Sequence, residues 1–160
     1  MNGGQPRSWV RTLGMVAVLA VLAVGLNYSW QSWRRQQSDQ RAAIQAVLDA
    51  QAQAWNAGDL EGFMVGYWQS PEMTFFGGAE KRHGWQETLE RYRQTYQGEG
   101  QEMGQLTFSE IQIEQIDATH AWVRGRWQLV TSKNKPGGLF TLVFRRLPEG
   151  WRIVHDHTSK

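Results

Sequence analysis

The chain of 160 residues contains no cysteine, and this absence excludes several kinds of chemistry. Without cysteine the protein has no disulfide bond, no thiolate nucleophile and no Cys-ligated zinc site. The sequence also lacks the Gly-x-Ser-x-Gly turn of serine hydrolases. The pair Gly77 and Gly78 is not followed by the lysine and helix of a phosphate-binding loop. We therefore expect no cofactor, and neither ATP hydrolysis nor serine hydrolysis is supported.

Most of the chain also has almost no net charge. The formal net charge is +2, from 17 Lys and Arg against 15 Asp and Glu. Four of the 17 basic residues precede Arg41, whereas Asp39 is the single acidic residue among the 15 that does so. The remainder is about neutral and has no dense basic patch, so we expect no nucleic-acid partner.

Near the N-terminus, an unbroken apolar run extends from Leu13 to Leu26, after Arg7 and Arg11. It is shorter than the roughly 20 residues of a typical membrane span, although Trp30 follows as an interfacial aromatic residue does. The run fits an uncleaved signal anchor or a cleaved signal peptide, and a buried N-terminal helix is a third interpretation. We expect residues 1–36 to be this membrane or signal helix with a linker. The domain, residues 37–160, is then anchored at the inner membrane in the periplasm, or secreted if the leader is cleaved.

Apolar residues at helical spacing predict three helices in the domain. The first begins near Ser38 as its cap, carries its apolar stripe through Trp55 and ends at Gly58. Asp59 caps a short second helix that runs through Phe63 and Trp68, and a third helix runs from about Gly84 to Tyr96.

Strands are predicted in the rest of the domain. The first is "MTFF" at 73–76, and after residue 104 the apolar period changes to two. Four strands joined by hairpins follow, with a β-bulge between Phe108 and Ile111: Leu106–Ile116, His120–Thr131, Leu139–Leu147 and Trp151–Thr158. The predicted fold is α+β, a curved antiparallel sheet that closes over three helices as a cone with an interior cavity.

This element order, with the stretches "WNAGDLEGF", "LTFSEI", "GRW", "FTLVFRR" and "WRIVHDHTS", resembles the nuclear-transport-factor-2-like superfamily. Within it, the chain resembles the SnoaL-like domains that are related to the association domain of calcium/calmodulin-dependent kinase II. The resemblance covers about Ala42 to Ser159. It implies a homodimer packed through the sheet and a pocket between helices and sheet. The superfamily includes ketosteroid isomerases, dehydratases, polyketide cyclases, epoxide hydrolases and members without known activity.

The ending "WRIVHDHTSK" contains two histidines around an aspartate. A turn that sets Leu147 opposite Gly150 would pair Leu142 with His155 and Phe140 with His157. The histidines would then face the cavity, and Asp156 would face the opposite side. His155 and His157 are therefore candidate catalytic residues that move a proton on a small apolar substrate, with Tyr92 or Tyr96 holding an oxyanion.

Three other interpretations of these residues stay open. Two imidazoles on one strand face are metal ligands when a third ligand joins them, but the sequence places neither His83, His120 nor a carboxylate there, so no metal is predicted. In a passive binding site the histidines only donate hydrogen bonds, and aromatic side chains line a pocket for a flat apolar ligand: Trp68, Trp85, Tyr92, Tyr96, Trp127 and Phe140. In the simplest interpretation the histidines satisfy polar groups at a strand end or lie in a dimer interface, and the aromatic residues are core.

We expect the arginine pairs, Arg91 and Arg93 among them, to be solvated or interface charges rather than anion sites. The leading hypothesis is a small-molecule-binding domain. The alternatives are a cofactor-free lyase or isomerase that uses a pocket histidine, and a structural homodimerisation module.

Overall fold

The computed structural model describes the backbone of residues 8–78 and 80–159, and the side chains of these residues from Gly25 onward. The chain divides into two compact units, residues 1–40 and 41–160. Most of the predicted membrane or signal helix, residues 1–36, lies outside the residues whose side chains are described. Among the described residues, no helix is long and apolar enough to cross a membrane. The expected boundary between residues 36 and 37 stays a prediction.

The three predicted helices of the domain are present, and two boundaries differ. Their bounds are Ser8–Asn56 for α1, Leu60–Met64 for α2 and Trp85–Tyr96 for α3. The second helix ends at Met64 rather than continuing through Trp68, because the segment at Tyr67 and Trp68 pairs with Ile153 of the last strand. The prediction that Ser38 caps the first helix is wrong, because Ser38 lies inside α1. No glycine or proline interrupts the chain between Gly25 and Gly58, and most residues around Ser38 are strong helix formers. The chain therefore has no reason to start a new helix there.

The end of α1 before Gly58 and the start of α2 after its cap Asp59 agree with the prediction from the sequence. Gly58 adopts a φ of 76° just after α1, a left-handed conformation that glycine takes without steric cost. Asp59 then caps α2, because its Oδ1 accepts a hydrogen bond from the Gly62 N–H at 2.8 Å. The stretch "WNAGDLEGF" thus turns the chain sharply between two helices.

Six strands form one sheet. Their bounds are Thr74–Gly77 for β1, Glu80–His83 for β2, Gln105–Gln115 for β3, His120–Val130 for β4, Gly137–Leu147 for β5 and Gly150–Thr158 for β6. The spatial order is β2-β1-β6-β5-β4-β3, and β3 to β6 are consecutive antiparallel hairpins, as expected.

The sheet departs from the expectation at one edge. Strand β2 was not predicted, because "EKRH" shows no apolar alternation. Strand β1 pairs with β6 in parallel, so the sheet is mixed rather than wholly antiparallel. The remaining strands agree in type and position, and the α+β class is confirmed.

Two bulges bend the sheet. The expected one lies in β3, where the register shifts between Ser109 and Gln112 and Glu110 has a φ of 54°. A second, unexpected bulge separates Phe144, which faces Ile153, from Val143, which faces His155. Bulges increase the local twist, so the sheet curls, and its concave face meets the helices.

The core fills the space between that concave face and the helices. It includes fully buried side chains from α1, α2, the strands and the connections between them: Ile44, Leu48, Leu60, Met64, Met73, Val123, Phe144 and Ile153. The connection after α2 also pairs with β6, since the Ile153 N–H donates to the Gly66 carbonyl at 2.9 Å and the Trp68 N–H donates to the Ile153 carbonyl at 2.9 Å. This pairing fixes Tyr67 beside the last strand.

Candidate functional site

A cavity of about 590 Å³ lies between the helices and the concave face of the sheet. Nine Phe, Tyr and Trp side chains contribute to its walls, and six of them are Trp55, Phe63, Phe75, Tyr92, Tyr96 and Trp127. Several pack edge to face, for example Trp55 on Tyr96 with centroids 4.8 Å apart and Phe63 on Tyr92 at 5.5 Å. The volume is in the usual range for a small-molecule site.

Four of the six residues expected to contact a ligand line this cavity, namely Tyr92, Tyr96, Trp127 and Phe140. The other two lie elsewhere. The ring of Trp68 packs under the Arg145 guanidinium at 4.1 Å, and the Trp85 indole N–H donates to the Met64 carbonyl at 2.9 Å. Ligand contact by the four cavity residues stays a prediction.

The register of β6 places Asp156, rather than the histidines, on the cavity side. The expected pairing holds from Leu147 and Gly150 to Phe144 and Ile153. Val154 is then the extra residue of the bulge, so Leu142 faces Asp156 instead of His155. The predicted orientation of the histidines is therefore wrong, because a shift of one residue exchanges the two faces of a strand.

Asp156 is 3% exposed and is held by two hydroxyl groups. The Tyr67 hydroxyl donates to Oδ2 at 2.7 Å, and the Thr158 hydroxyl donates to Oδ1 at 2.6 Å. Tyr67 is available because its backbone segment pairs with β6, and Thr158 lies two residues further along the same strand face. Three polar groups thus converge at one place in a cavity that many aromatic side chains line.

Burial dominates the acid–base properties of this group. It raises the pKa of Asp156 to about 6, although the hydrogen bonds from Thr158 and Tyr67 and the charge of His157 oppose the shift. Burial, followed by the charge of Asp156, also raises the pKa of Tyr67 and of Tyr92 well above the ordinary value for tyrosine. The carboxyl group therefore changes its protonation state near neutral pH, whereas the tyrosines remain hydroxyl donors.

The mouth of the cavity carries charged side chains from β2 and α3. Arg82 and Glu80 lie on the cavity face of β2 and form an ion pair, and the Arg82 side chain is 14% exposed. Arg91 of α3 places a guanidinium nitrogen 3.9 Å from the other carboxylate oxygen of Glu80. Two cations thus share one carboxylate at the mouth.

The histidines lie on the opposite face or at the rim. His155 is partly buried, its Nδ1 is 2.7 Å from the Thr74 hydroxyl oxygen, and its ring lies edge-on to Phe76. Burial, and then the charge of His157, lower the pKa of His155. His157 is exposed and reaches the cavity mouth. A catalytic role for either histidine stays a prediction.

Two further histidines had been considered as metal ligands. His83 lies across β1 from His155, with Thr74 between them, and the imidazole Nδ1 of His120 is 3.1 Å from a carboxylate oxygen of Asp117 in the turn before β4. In the part of the chain that the structure describes, no three His, Asp or Glu side chains come together around a possible metal position.

The residues that sequence reasoning missed are Asp156, Tyr67 and Arg82. Asp156 was assigned to the wrong face because the bulge at Val154 was not recognised. The available indication was the adjacent apolar pair Ile153 and Val154, which breaks the alternation of the strand in the same way as the bulge found in β3. Arg82 was missed because β2 was missed.

A protein-family model described as "SnoaL-like domain" matches residues 44–160, nearly the whole second unit. The chain belongs to the SnoaL-like family. The resemblance inferred from the sequence is therefore confirmed. The comparison with curated proteins found no match for this SnoaL-like protein.

Solved structures agree with this assignment. A nuclear transport factor 2-like protein of unknown function from Shewanella oneidensis is 37% identical, with a TM-score of 0.70 over 75% of this chain and 98% of that one. A nuclear transport factor 2-like superfamily protein from Salmonella enterica is 22% identical, with a TM-score of 0.65 over 77% and 92%. A protein with a cystatin-like fold from Nostoc punctiforme, 11% identical with a TM-score of 0.60 over 74% and 89%, shares the fold.

The raised pKa of Asp156 predicts a specific pH dependence of stability. Its folded-state pKa, about 6, is above its ordinary value of 3.8, so the folded protein binds this proton more tightly than the unfolded chain does. The resulting stabilisation is complete below pH 4 and is lost as the pH rises through 6. We expect a loss of about 2 kcal/mol in the free energy of unfolding, which Asp156→Asn should abolish. Urea unfolding of both proteins from pH 4.5 to 7.5 measures it.

Asp117→Asn is the matched control for this experiment. Hydrogen bonds from the backbone and side chain of Thr119 lower the pKa of Asp117 to about 2. The stability that depends on this carboxylate is lost only as the pH falls toward 2, so this variant should keep the wild-type slope between pH 4.5 and 7.5. If the free energy of unfolding changes equally with pH in wild type and Asp156→Asn, the pKa of Asp156 is not raised by folding.

Proposed function

We propose that this domain binds a small molecule with a flat, mostly apolar body in the cavity, and that Asp156 binds a polar atom of it. The observation that carries the proposal is the carboxyl group of Asp156, held by the Tyr67 and Thr158 hydroxyls inside an aromatic cavity of about 590 Å³. Flat rings pack well against aromatic walls, while one converging polar group fixes their orientation.

The size of the cavity favours binding over a purely structural role. A domain whose task is dimerisation gains nothing from an empty space between its layers, because unfilled volume forfeits packing energy. A buried carboxyl group adds a further cost of desolvation. Both features are reasonable where a ligand fills the space and contacts the carboxyl group.

A ketone probe tests the role of Asp156. Below pH 6 the protonated carboxyl group can donate to a ketone oxygen, whereas the carboxylate above pH 6 repels it. We expect 2-acetonaphthone to bind the full-length protein about tenfold more tightly at pH 5 than at pH 8, the value of one hydrogen bond of about 1.4 kcal/mol. Quenching of tryptophan fluorescence reports binding, because Trp55 and Trp127 line the cavity.

Three controls identify the group responsible for this pH dependence. 2-Ethylnaphthalene has the same ring system without the acceptor, so its affinity should not depend on pH. Asp156→Asn should remove the dependence for the ketone, and His157→Asn, which removes the imidazole at the mouth, should keep it. The reverse result for the two variants would assign the polar contact to His157, and no binding of either naphthalene would reject the proposal.

A second candidate function is acid–base catalysis of an isomerisation or elimination on the bound molecule. The observation that favours it is the buried carboxyl group with a pKa of about 6, next to tyrosine hydroxyls. Such a group can take a proton from carbon next to a carbonyl at neutral pH and return it elsewhere. In this version Asp156, rather than His155, moves the proton.

Exchange of carbon-bound hydrogen tests this second function. We expect wild-type protein in D₂O at pH 7 to accelerate deuterium incorporation into the methyl ketone group of 2-acetonaphthone at least about a hundredfold over Asp156→Asn, the usual contribution of a positioned base. Proton NMR follows the loss of the methyl signal. His155→Asn, on the outer face, should exchange like wild type. Equal rates for wild type and Asp156→Asn would leave binding as the function.

The second part of the proposal concerns attachment to a membrane, with the domain outside the cytoplasm. It is supported by large side chains of α1 that are exposed at the end of the apolar run and just after it: Leu26 at 64%, Tyr28 at 78%, Trp30 at 59% and Trp33 at 53%. Aromatic residues followed by Arg34 and Arg35 are typical of a membrane interface. The expected homodimer through the sheet likewise stays a prediction.

Fractionation of a Gram-negative host that produces the full chain tests the anchor. We expect protein of intact mass in the membrane pellet after an alkaline carbonate wash, and digestion of its domain by protease added to spheroplasts. An apolar segment that only lies on the surface is extracted by the wash. Soluble protein of reduced mass in the periplasm would indicate a cleaved leader, and soluble protein of intact mass in the cytoplasm would reject export.

A further inference from the structure

The charged group at the cavity mouth includes two guanidinium groups that pair with one carboxylate. Arg82 forms an ion pair with Glu80, and Arg91 lies within 3.9 Å of the same carboxylate. Both guanidinium groups pair with the one carboxylate of Glu80, and the carboxylates of Glu87 and Glu90 line the neighbouring groove beside Arg82 and Arg91. A cation in such a position attracts an anion more strongly than one in open water, since screening by solvent is weaker there.

The sheet places this group in line with Asp156. Phe75 of β1 faces Asp156 on one neighbouring strand and Arg82 on the other, so the three residues form a row across the cavity face. Strands are about 4.8 Å apart, which sets the backbones of Arg82 and Asp156 about 10 Å from each other. A flat molecule lying over Phe75 therefore reaches a carboxyl group at one end and a guanidinium at the other.

The two members of the Arg82 ion pair differ in their freedom to move. The side chain of Glu80 is 57% exposed, whereas that of Arg82 is 14% exposed and lines the cavity. Glu80 can rotate into water at little cost, because more than half of its side chain is already exposed, whereas most of the Arg82 side chain is covered by protein. Exchange of one carboxylate for another at Arg82 is therefore close to neutral in electrostatic energy.

We propose that the ligand of this cavity carries a carboxylate, which binds the Arg82 guanidinium at the mouth in place of Glu80. This inference rests on the proposed binding function and adds the chemical class of the ligand. A carboxylate matches the planar fork of arginine, as the carboxylate of Glu80 already does. In this proposal Arg91, which was expected to be a solvated or interface charge, is the second cation of the site.

Two isosteric probes test the inference on the full-length protein at pH 7. 2-Naphthoate has the carboxylate, and 2-naphthamide has the same rings and a neutral end of the same shape. We expect 2-naphthoate to bind at least about tenfold more tightly, because a hydrogen-bonded charge pair contributes about 1.5 to 3 kcal/mol, which is a factor of ten or more. Quenching of tryptophan fluorescence gives both dissociation constants.

Four variants assign the preference to Arg82. Arg82→Gln should bind both probes equally. Lys81→Gln removes the same charge from the neighbouring residue of β2, whose side chain faces the other side, and should keep the wild-type preference. Glu80→Gln should bind 2-naphthoate several-fold more tightly, since it removes the competing carboxylate. Arg82→Lys keeps the charge without the fork and should retain part of the preference, which also covers the case in which Arg82→Gln does not fold.

The outcomes that overturn the inference differ from those that overturn binding itself. Equal affinity of wild type for the two probes, or equal effects of Arg82→Gln and Lys81→Gln, would refute the carboxylate assignment while the cavity still binds. Tighter binding of 2-naphthyl phosphate than of 2-naphthoate would assign the mouth to a phosphate instead. If 2-naphthoate, 2-naphthamide and 2-acetonaphthone all fail to bind, the proposed function and this inference are both wrong.

Discussion

The extra residue Val154 in β6 determines which side chains of the last strand meet the cavity. Up to Ile153 the strand pairs with β5 in the register that its apolar alternation predicts. After the bulge each side chain points to the face opposite to the one that this alternation predicts. The bulge turns Asp156 inward and His155 outward. It also coincides with a change of neighbour on the other side of β6, from the segment at Tyr67 to strand β1. One inserted residue thus brings the carboxyl group, the tyrosine and the row toward Arg82 into the same space.

A carboxyl group in that position is tolerated because each of its two oxygens accepts a hydrogen bond. Transfer of a carboxylate into an apolar interior costs several kcal/mol, and hydrogen bonds from Tyr67 and Thr158 recover part of that cost. They do not recover all of it, and the raised pKa of Asp156 expresses the difference. Leucine would fill the position without this cost, so its aspartate is better explained by chemistry or binding than by stability.

Structural features that follow from the local spacing of apolar residues were predicted from the sequence, whereas features that depend on how the strands pair were missed. The helices, the four hairpin strands and the bulge at Glu110 follow from apolar spacing, and Tyr92, Tyr96, Trp127 and Phe140 lie on predicted elements at cavity positions. Strand β2 forms a hairpin with β1, but its four residues have no apolar alternation. The bulge at Val154 lies where β6 begins to pair with β1, a strand distant in the chain, and its one sign in the sequence is the apolar pair Ile153 and Val154. The site residues that depend on these two features, Arg82 and Asp156, were therefore missed, although the fold that holds them was predicted.

The two ends of the row that joins Asp156 to Arg82 are coupled electrostatically. In the structure the positive charge of Arg82 and Arg91 is partly balanced by Glu80. Two negative charges about 10 Å apart, such as an anion bound in place of Glu80 and the carboxylate of Asp156, repel each other by about 1 to 2 kcal/mol at an effective dielectric constant of 20. Glu80, once it rotates into water, is screened and repels less. Binding of an anion at the mouth therefore favours the protonated form of Asp156, and a ligand held by Arg82 meets a hydrogen-bond donor, rather than a carboxylate, at its other end.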